Sequence, residues 1–130
     1  MALHIELGVA ALSPPTKVPH VLLDLPLCCR CGHLRGVARD ISPSTGFRFV
    51  CYCTDCQAFA RFLDRPDVLD AAGGTDIFQM AAGRVKLTVG TDAVRCLSFS
   101  GTVPRWYADC CRTPIANTAT TPRVASETGK

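Results

Sequence analysis

Apolar and polar residues alternate in short runs through the middle of the chain, the period of strands with one buried face. Residues 34–39 form the first such run. Ser42-Pro43-Ser44-Thr45-Gly46 interrupts it with turn formers. Phe47, Phe49 and Cys51 then alternate with Arg48, Val50 and Tyr52, which predicts a second strand. The period changes over residues 57–63, where Ala58, Phe59 and Phe62 fall on one side of a short helix. A loop with Pro66 and Gly73-Gly74 follows. Three more strands are predicted at about residues 75–81, 84–89 and 93–99, with Gly83 and Gly90-Thr91-Asp92 as hairpin turns. A last strand covers residues 105–108. The pattern predicts an all-β, mainly antiparallel fold with one short helix.

The ends read differently. Residues 1–26 are apolar but broken by Pro14-Pro15, Pro19 and Pro26. Proline lacks an N–H and fixes φ, so a continuous helix or a central strand is not expected there. This segment is assigned as an N-terminal extension, residues 27–115 as the folded domain, and residues 116–130 as a small, polar tail. A chain of 130 residues supports one domain with a modest core, for which a metal site is a plausible staple.

Charge narrows the partners. The formal net charge of +3 is mild, and Arg30, Arg35, Arg39, Arg48 and Arg61 are scattered among acids. No basic stripe of the kind that tracks nucleic acid is present, so no nucleic-acid partner is expected. No run is long and apolar enough to span a bilayer, so no membrane partner is expected. Residues 1–26 lack the basic start of a secretory leader, and the expected compartment is cytoplasmic. The oligomeric state is not legible.

Nine cysteines then dominate the chemistry. They concentrate in Cys29-x-Cys31-Gly32, Cys51-x-Cys53-x-x-Cys56 and Cys110-Cys111. A disulfide scaffold is the rival to metal binding. The odd number, the knuckle-like spacing and adjacent pairs such as Cys28-Cys29 weigh against it. Thiolates separated by one or two residues can grip a soft ion from one turn, and zinc is the default. Cys51, Cys53 and Cys56 supply three ligands, the protein's share in many catalytic zinc sites. A fourth protein ligand would close that site, with Asp55, Tyr52 and His33 as candidates. Cys29 and Cys31 need partners from elsewhere, and Cys111 with Cys110 are the obvious ones. Gly32 suits a left-handed turn at the first knuckle. Cys96, within a strand, reads as a small buried side chain, and Cys28 as a spare thiol or a fourth structural ligand. Trp106 and Tyr107 read as core. Arg61 and Arg105 read as surface residues, with carboxylate binding as the rarer alternative.

These motifs, with Thr113-Pro114-Ile115 after Cys111, resemble the glutathione-dependent formaldehyde-activating enzyme family, the S-(hydroxymethyl)glutathione synthases. Gly74-Thr75-Asp76-Ile77-Phe78 and Leu97-Ser98-Phe99-Ser100-Gly101 are similar to it too. The resemblance covers roughly residues 27–115. It implies a β-tent fold with two zinc sites. It places Cys29, Cys31 and Cys111 in a structural site and Cys51, Cys53 and Cys56 in a catalytic one. There the thiolate of glutathione completes the coordination and adds to formaldehyde, giving a hemithioacetal. The activity is classed as a carbon–sulfur lyase after the reverse reaction, and the implied partner is a small thiol such as glutathione.

The chain departs from that family in its last motif, which reads Cys-x-x-Cys-Gly-Thr-Pro. Ala108 takes the first cysteine position, Cys111 the second and Arg112 the glycine. Cys110 is the candidate replacement ligand, so one or two zinc ions are expected. A left-handed Arg112 would cost about 1 kcal/mol or more. The alternative function is a non-catalytic zinc-binding β module, either chaperone-like or zinc-ribbon-like. The ribbon version would pair Cys28-x-x-Cys31 with Cys53-x-x-Cys56.

Overall fold

The structure, a computed structural model, describes residues 2–3, 21–99, 101 and 103–118. The rest of the predicted extension and tail lies outside the described residues. Nine strands and one α-helix occur among them: β1 Ala2–Leu3, β2 Leu23–Cys28, β3 Arg35–Ile41, β4 Gly46–Cys51, α1 Thr54–Phe62, β5 Thr75–Met80, β6 Val85–Val89, β7 Val94–Leu97, β8 Arg105–Ala108 and β9 Thr113–Asn117. Every strand pairing is antiparallel. The predicted class, mainly antiparallel β with one short helix, is the observed one.

The strands form two sheets. The larger has the order β4-β5-β1-β9-β8-β7, the smaller β2-β3-β6. Alternating side chains from both meet in one apolar core. Ala38 and Ile41 come from the small sheet, and Met80 and Ala116 from the large one. Leu25, Leu27, Phe78, Val85, Trp106 and Ile115 pack around them. A second cluster of Cys29, Leu34 and Ala108 also bridges the sheets, directly beneath the cysteine turns. Phe59 and Leu63 of the α1 segment pack on Tyr107 of β8, which fixes the helix to the large sheet. Tyr107 is buried and Trp106 half-buried against the core, as their aromatic character predicts.

Several elements differ from the sequence reading. The segments at Gly83 and Gly90 are not hairpin turns. Each carries the chain from one sheet to the other, through short 3-10 turns at Ala82–Arg84 and Thr91–Ala93. Gly90 is left-handed, φ 74°, and a Cβ there would collide with the backbone carbonyl of His33. The crossover therefore packs tightly under the first cysteine turn. β2 begins at Leu23, inside the predicted extension, and carries Pro26. It is an edge strand, where proline's missing N–H leaves no ladder bond unmade. β1 inserts between β5 and β9. β9 extends to Asn117, and its Pro114 sits at a register shift opposite Tyr107.

Candidate metal centres

The first centre forms where two tight turns from different sheets meet. Cys29 follows β2, and the turn to β3 is held by Gly32 N–H donating to Cys29 O at 2.9 Å. Cys29 N–H donates to Leu34 O at 3.0 Å, and Leu34 N–H to Cys29 Sγ at 3.3 Å. Gly32 has φ 81°, the left-handed geometry its position predicts. The second turn, between β8 and β9, carries Cys110 and Cys111. The Sγ atoms of Cys29, Cys31, Cys110 and Cys111 all lie within 4.8 Å of one another. The separations are 3.6 Å for Cys29–Cys31, 3.8 Å for Cys29–Cys110, 3.3 Å for Cys31–Cys110 and 3.9 Å for Cys110–Cys111. Four sulfurs at zinc–thiolate bond length around one tetrahedral ion stand about 3.8 Å apart. The donor set and its spacing fit a four-thiolate ion.

Surrounding groups set the proton balance of these thiols. Burial raises the Cys111 thiol, but the Thr113 hydroxyl at 3.1 Å, the Cys31 backbone N–H and the Cys29 and Cys31 thiols together outweigh it and lower its pKa to about 6. Desolvation raises Cys110, and hydrogen bonds with the Cys31, Cys29 and Cys111 thiols raise it further. Thr113 Oγ1 also accepts from Arg30 N–H at 3.1 Å and from Arg65 Nη1 at 3.4 Å. Arg65 is itself buried and is clamped by both carboxylate oxygens of Asp67 at 2.7 Å. Arg112 takes up the left-handed conformation, φ 59°, that a glycine would adopt freely. Its guanidinium lies over the Phe62 ring at 5.1 Å and the Tyr107 ring at 6.0 Å, which offsets part of that strain.

The second centre forms where β4 hands over to α1. Cys51 ends the strand, Cys53 is the N-cap of the helix and Cys56 lies in its first turn. Cys53 Sγ accepts the Cys56 N–H at 3.3 Å, so the thiol does what a Ser or Asp side chain does at an ordinary cap. The three Sγ atoms lie within 4.8 Å of one another, with Cys51–Cys56 at 3.6 Å. Among the described residues, no fourth Cys, His, Asp or Glu ligand atom joins them. Cys56 is buried, Cys51 half-buried and Cys53 exposed, so solvent reaches the Cys53 side. Burial pushes the Cys56 thiol up to about 12 despite the Arg105 guanidinium beside it. Burial also raises Cys53, but the Cys56 N–H, the Cys51 and Cys56 thiols and Arg105 together lower it below the ordinary thiol value.

Residues 22–127 match the DUF6151 family, described as a family of unknown function. The chain belongs to the DUF6151 family. No curated protein and no solved structure matches it.

All seven cysteines predicted as ligands in this DUF6151 chain fall into the two centres. Cys28 does not: it is exposed, its thiol donating to Cys29 O at 3.2 Å. The zinc-ribbon pairing is therefore not formed, since Cys31 and Cys56 belong to different centres. Cys96 is exposed on the edge strand β7 rather than buried. None of the three candidate closers of the second centre joins it. His33 pairs with Asp92 at 3.2 Å, and the Tyr52 hydroxyl donates to Asp70 at 3.2 Å. Arg105 is the largest correction. It is buried, and its Nη1 donates to Cys56 Sγ at 3.3 Å. Alternation along β8 could have shown this, since Arg105 shares a face with the buried Tyr107. Arg61 is exposed as expected and reaches Gln57 Oε1 at 3.4 Å. Among the described residues, no helix is long and apolar enough to cross a membrane.

Proposed function

We propose that the chain is a zinc protein with two unlike sites. The four-thiolate site is structural. The three-thiolate site is the reactive centre of a carbon–sulfur lyase of the formaldehyde-activating type, acting on glutathione or a similar thiol adduct. One observation carries the reading: Cys51, Cys53 and Cys56 converge without a fourth ligand among the described residues, and on a solvent-reachable side. A zinc ion held there supplies Lewis acidity and lowers the proton affinity of a thiol that reaches it. The motif resemblance and the two antiparallel sheets support the same reading, with the β-tent as the architecture it implies.

The residues divide the work. Cys53 and Cys56 are held at fixed positions by the helix cap, and Cys51 by the register of β4 on β5. The four-thiolate site ties the two sheets together, so the reactive centre rests on a fixed frame. Isothermal titration of glutathione into zinc-loaded protein tests the proposal. Binding that disappears in Cys53→Ser is the expected result. Zinc retained by the wild-type chain with no glutathione binding would overturn the lyase and leave a non-catalytic zinc module.

A further inference from the structure

Arg105 has a buried cation and an unusual neighbour. The residue is 4% exposed, on β8 in the interior of the large sheet. A buried guanidinium is strongly unfavourable unless an anion compensates it. Among the described residues, none of the ion pairs involves Arg105. Its Nη1 instead donates to Cys56 Sγ at 3.3 Å, and its guanidinium carbon lies 5.8 Å from the centre of the Phe59 ring. Phe59 belongs to the helix that carries Cys56, so that ring helps fix where the guanidinium points.

The charges of the three-thiolate centre match this placement. Three thiolates around one divalent ion leave one negative charge over, half-buried at the sheet edge. One fixed positive charge balances it. Arginine stays protonated throughout, and its rigid fork presents N–H groups to an anion without further ordering. Hydrogen bonds from neighbouring groups orient metal ligands and tune their affinity for the ion.

We infer that Arg105 is a positioning residue of the three-thiolate centre: its guanidinium donates to Cys56 Sγ, orients that sulfur toward the ion and balances the charge of the loaded site. This rests on reading Cys51, Cys53 and Cys56 as a metal site. It adds a residue outside the cysteine motifs that the site needs in order to hold its ion.

The test uses the full chain loaded with cadmium-113 and read by NMR, beside competition with a chelator. The wild type gives two resonances, the four-thiolate one further downfield because each sulfur deshields the nucleus. The three-thiolate resonance is assigned by its loss in Cys53→Ser. In Arg105→Gln that resonance shifts, its ion is held about 10–100-fold more weakly, and the four-thiolate resonance stays in place. Arg105→Lys keeps the charge and recovers much of the affinity. A merely structural role would disturb both resonances or neither. A folded Arg105→Gln with both resonances and both affinities unchanged overturns the inference. If Arg105→Gln does not fold, Arg105→Lys decides alone: a shift confined to the three-thiolate resonance supports the role, and no shift overturns it. A wild-type chain with no resonance lost in Cys53→Ser overturns the metal site itself, a separate outcome.

Discussion

The Thr113 hydroxyl has one proton and two lone pairs, and its three neighbours divide them. Arg30 N–H and Arg65 Nη1 occupy the lone pairs. The proton is left to donate to Cys111 Sγ, 3.1 Å away, which favours the thiolate. Thr113→Val keeps the shape and removes the donor. We expect the four-thiolate site to lose about 10–100-fold in zinc affinity by chelator competition, with the three-thiolate site unaffected. Acidity makes metal binding depend on pH at both centres. In the metal-free chain Cys56 is held protonated, with a pKa of about 12, by its burial. Metal must displace that proton, so affinity at the three-thiolate site rises with pH. The expected slope is about tenfold per pH unit for each thiol still protonated, across the neutral and mildly alkaline range. At the four-thiolate site Cys111, with a pKa of about 6, is already ionised in that range and adds no slope above neutral pH, whereas Cys110, raised by desolvation, adds a slope of the same sign. Proton release measured by titration in buffers of different ionisation enthalpy checks the sign. At this scale the two groups of converging cysteines were legible, because their members lie close together in sequence. The burial of Arg105 was legible in the alternation along β8, but its contact with Cys56 was not, because that partner comes from a distant segment.

Helix α1 shows how an element positions a site. Cys53 caps its start, and the other end closes with Arg65 N–H donating to Ala60 O at 2.9 Å and Asp64 N–H to Arg61 O at 3.0 Å. That pair of bonds is a Schellman ending, with Asp64 left-handed at φ 53° where glycine is commonest. Asp64→Gly should therefore stabilise the chain by about 1 kcal/mol, read as an upward shift in thermal midpoint. A decrease would mean that the Asp64 side chain contributes more than its strain removes. The sequence placed the helix at residues 57–63, three residues late, because a cysteine N-cap is outside the usual Ser, Thr, Asp and Asn set. Strand existence was well marked by alternation. Strand destination was not: Gly83 and Gly90 announce turns, but local chemistry does not say which sheet the next strand joins. β9 escaped notice because Pro114 lies within it and the residues from 116 read as a tail, and the bulge beside Tyr107 accommodates that proline.

Across the whole molecule, the four-thiolate centre is a link between layers. Cys29 and Cys31 come from the small sheet's β2–β3 turn, and Cys110 and Cys111 from the large sheet's β8–β9 turn. Ala108 lies wholly buried beside Cys29 and Leu34, and Cys110 supplies the fourth sulfur of the cluster. The three-thiolate centre sits instead at the large sheet's outer strand, with its Cys53 side toward solvent. The two clusters are therefore expected to hold two metal ions, one closed by four thiolates and one by three. Native mass spectrometry of the zinc-loaded full chain and its variants tests it most directly. We predict two zinc ions in the wild type, with one lost in Cys53→Ser and the other in Cys110→Ser. A wild-type chain that binds no zinc, or one whose second ion survives Cys53→Ser, would contradict it.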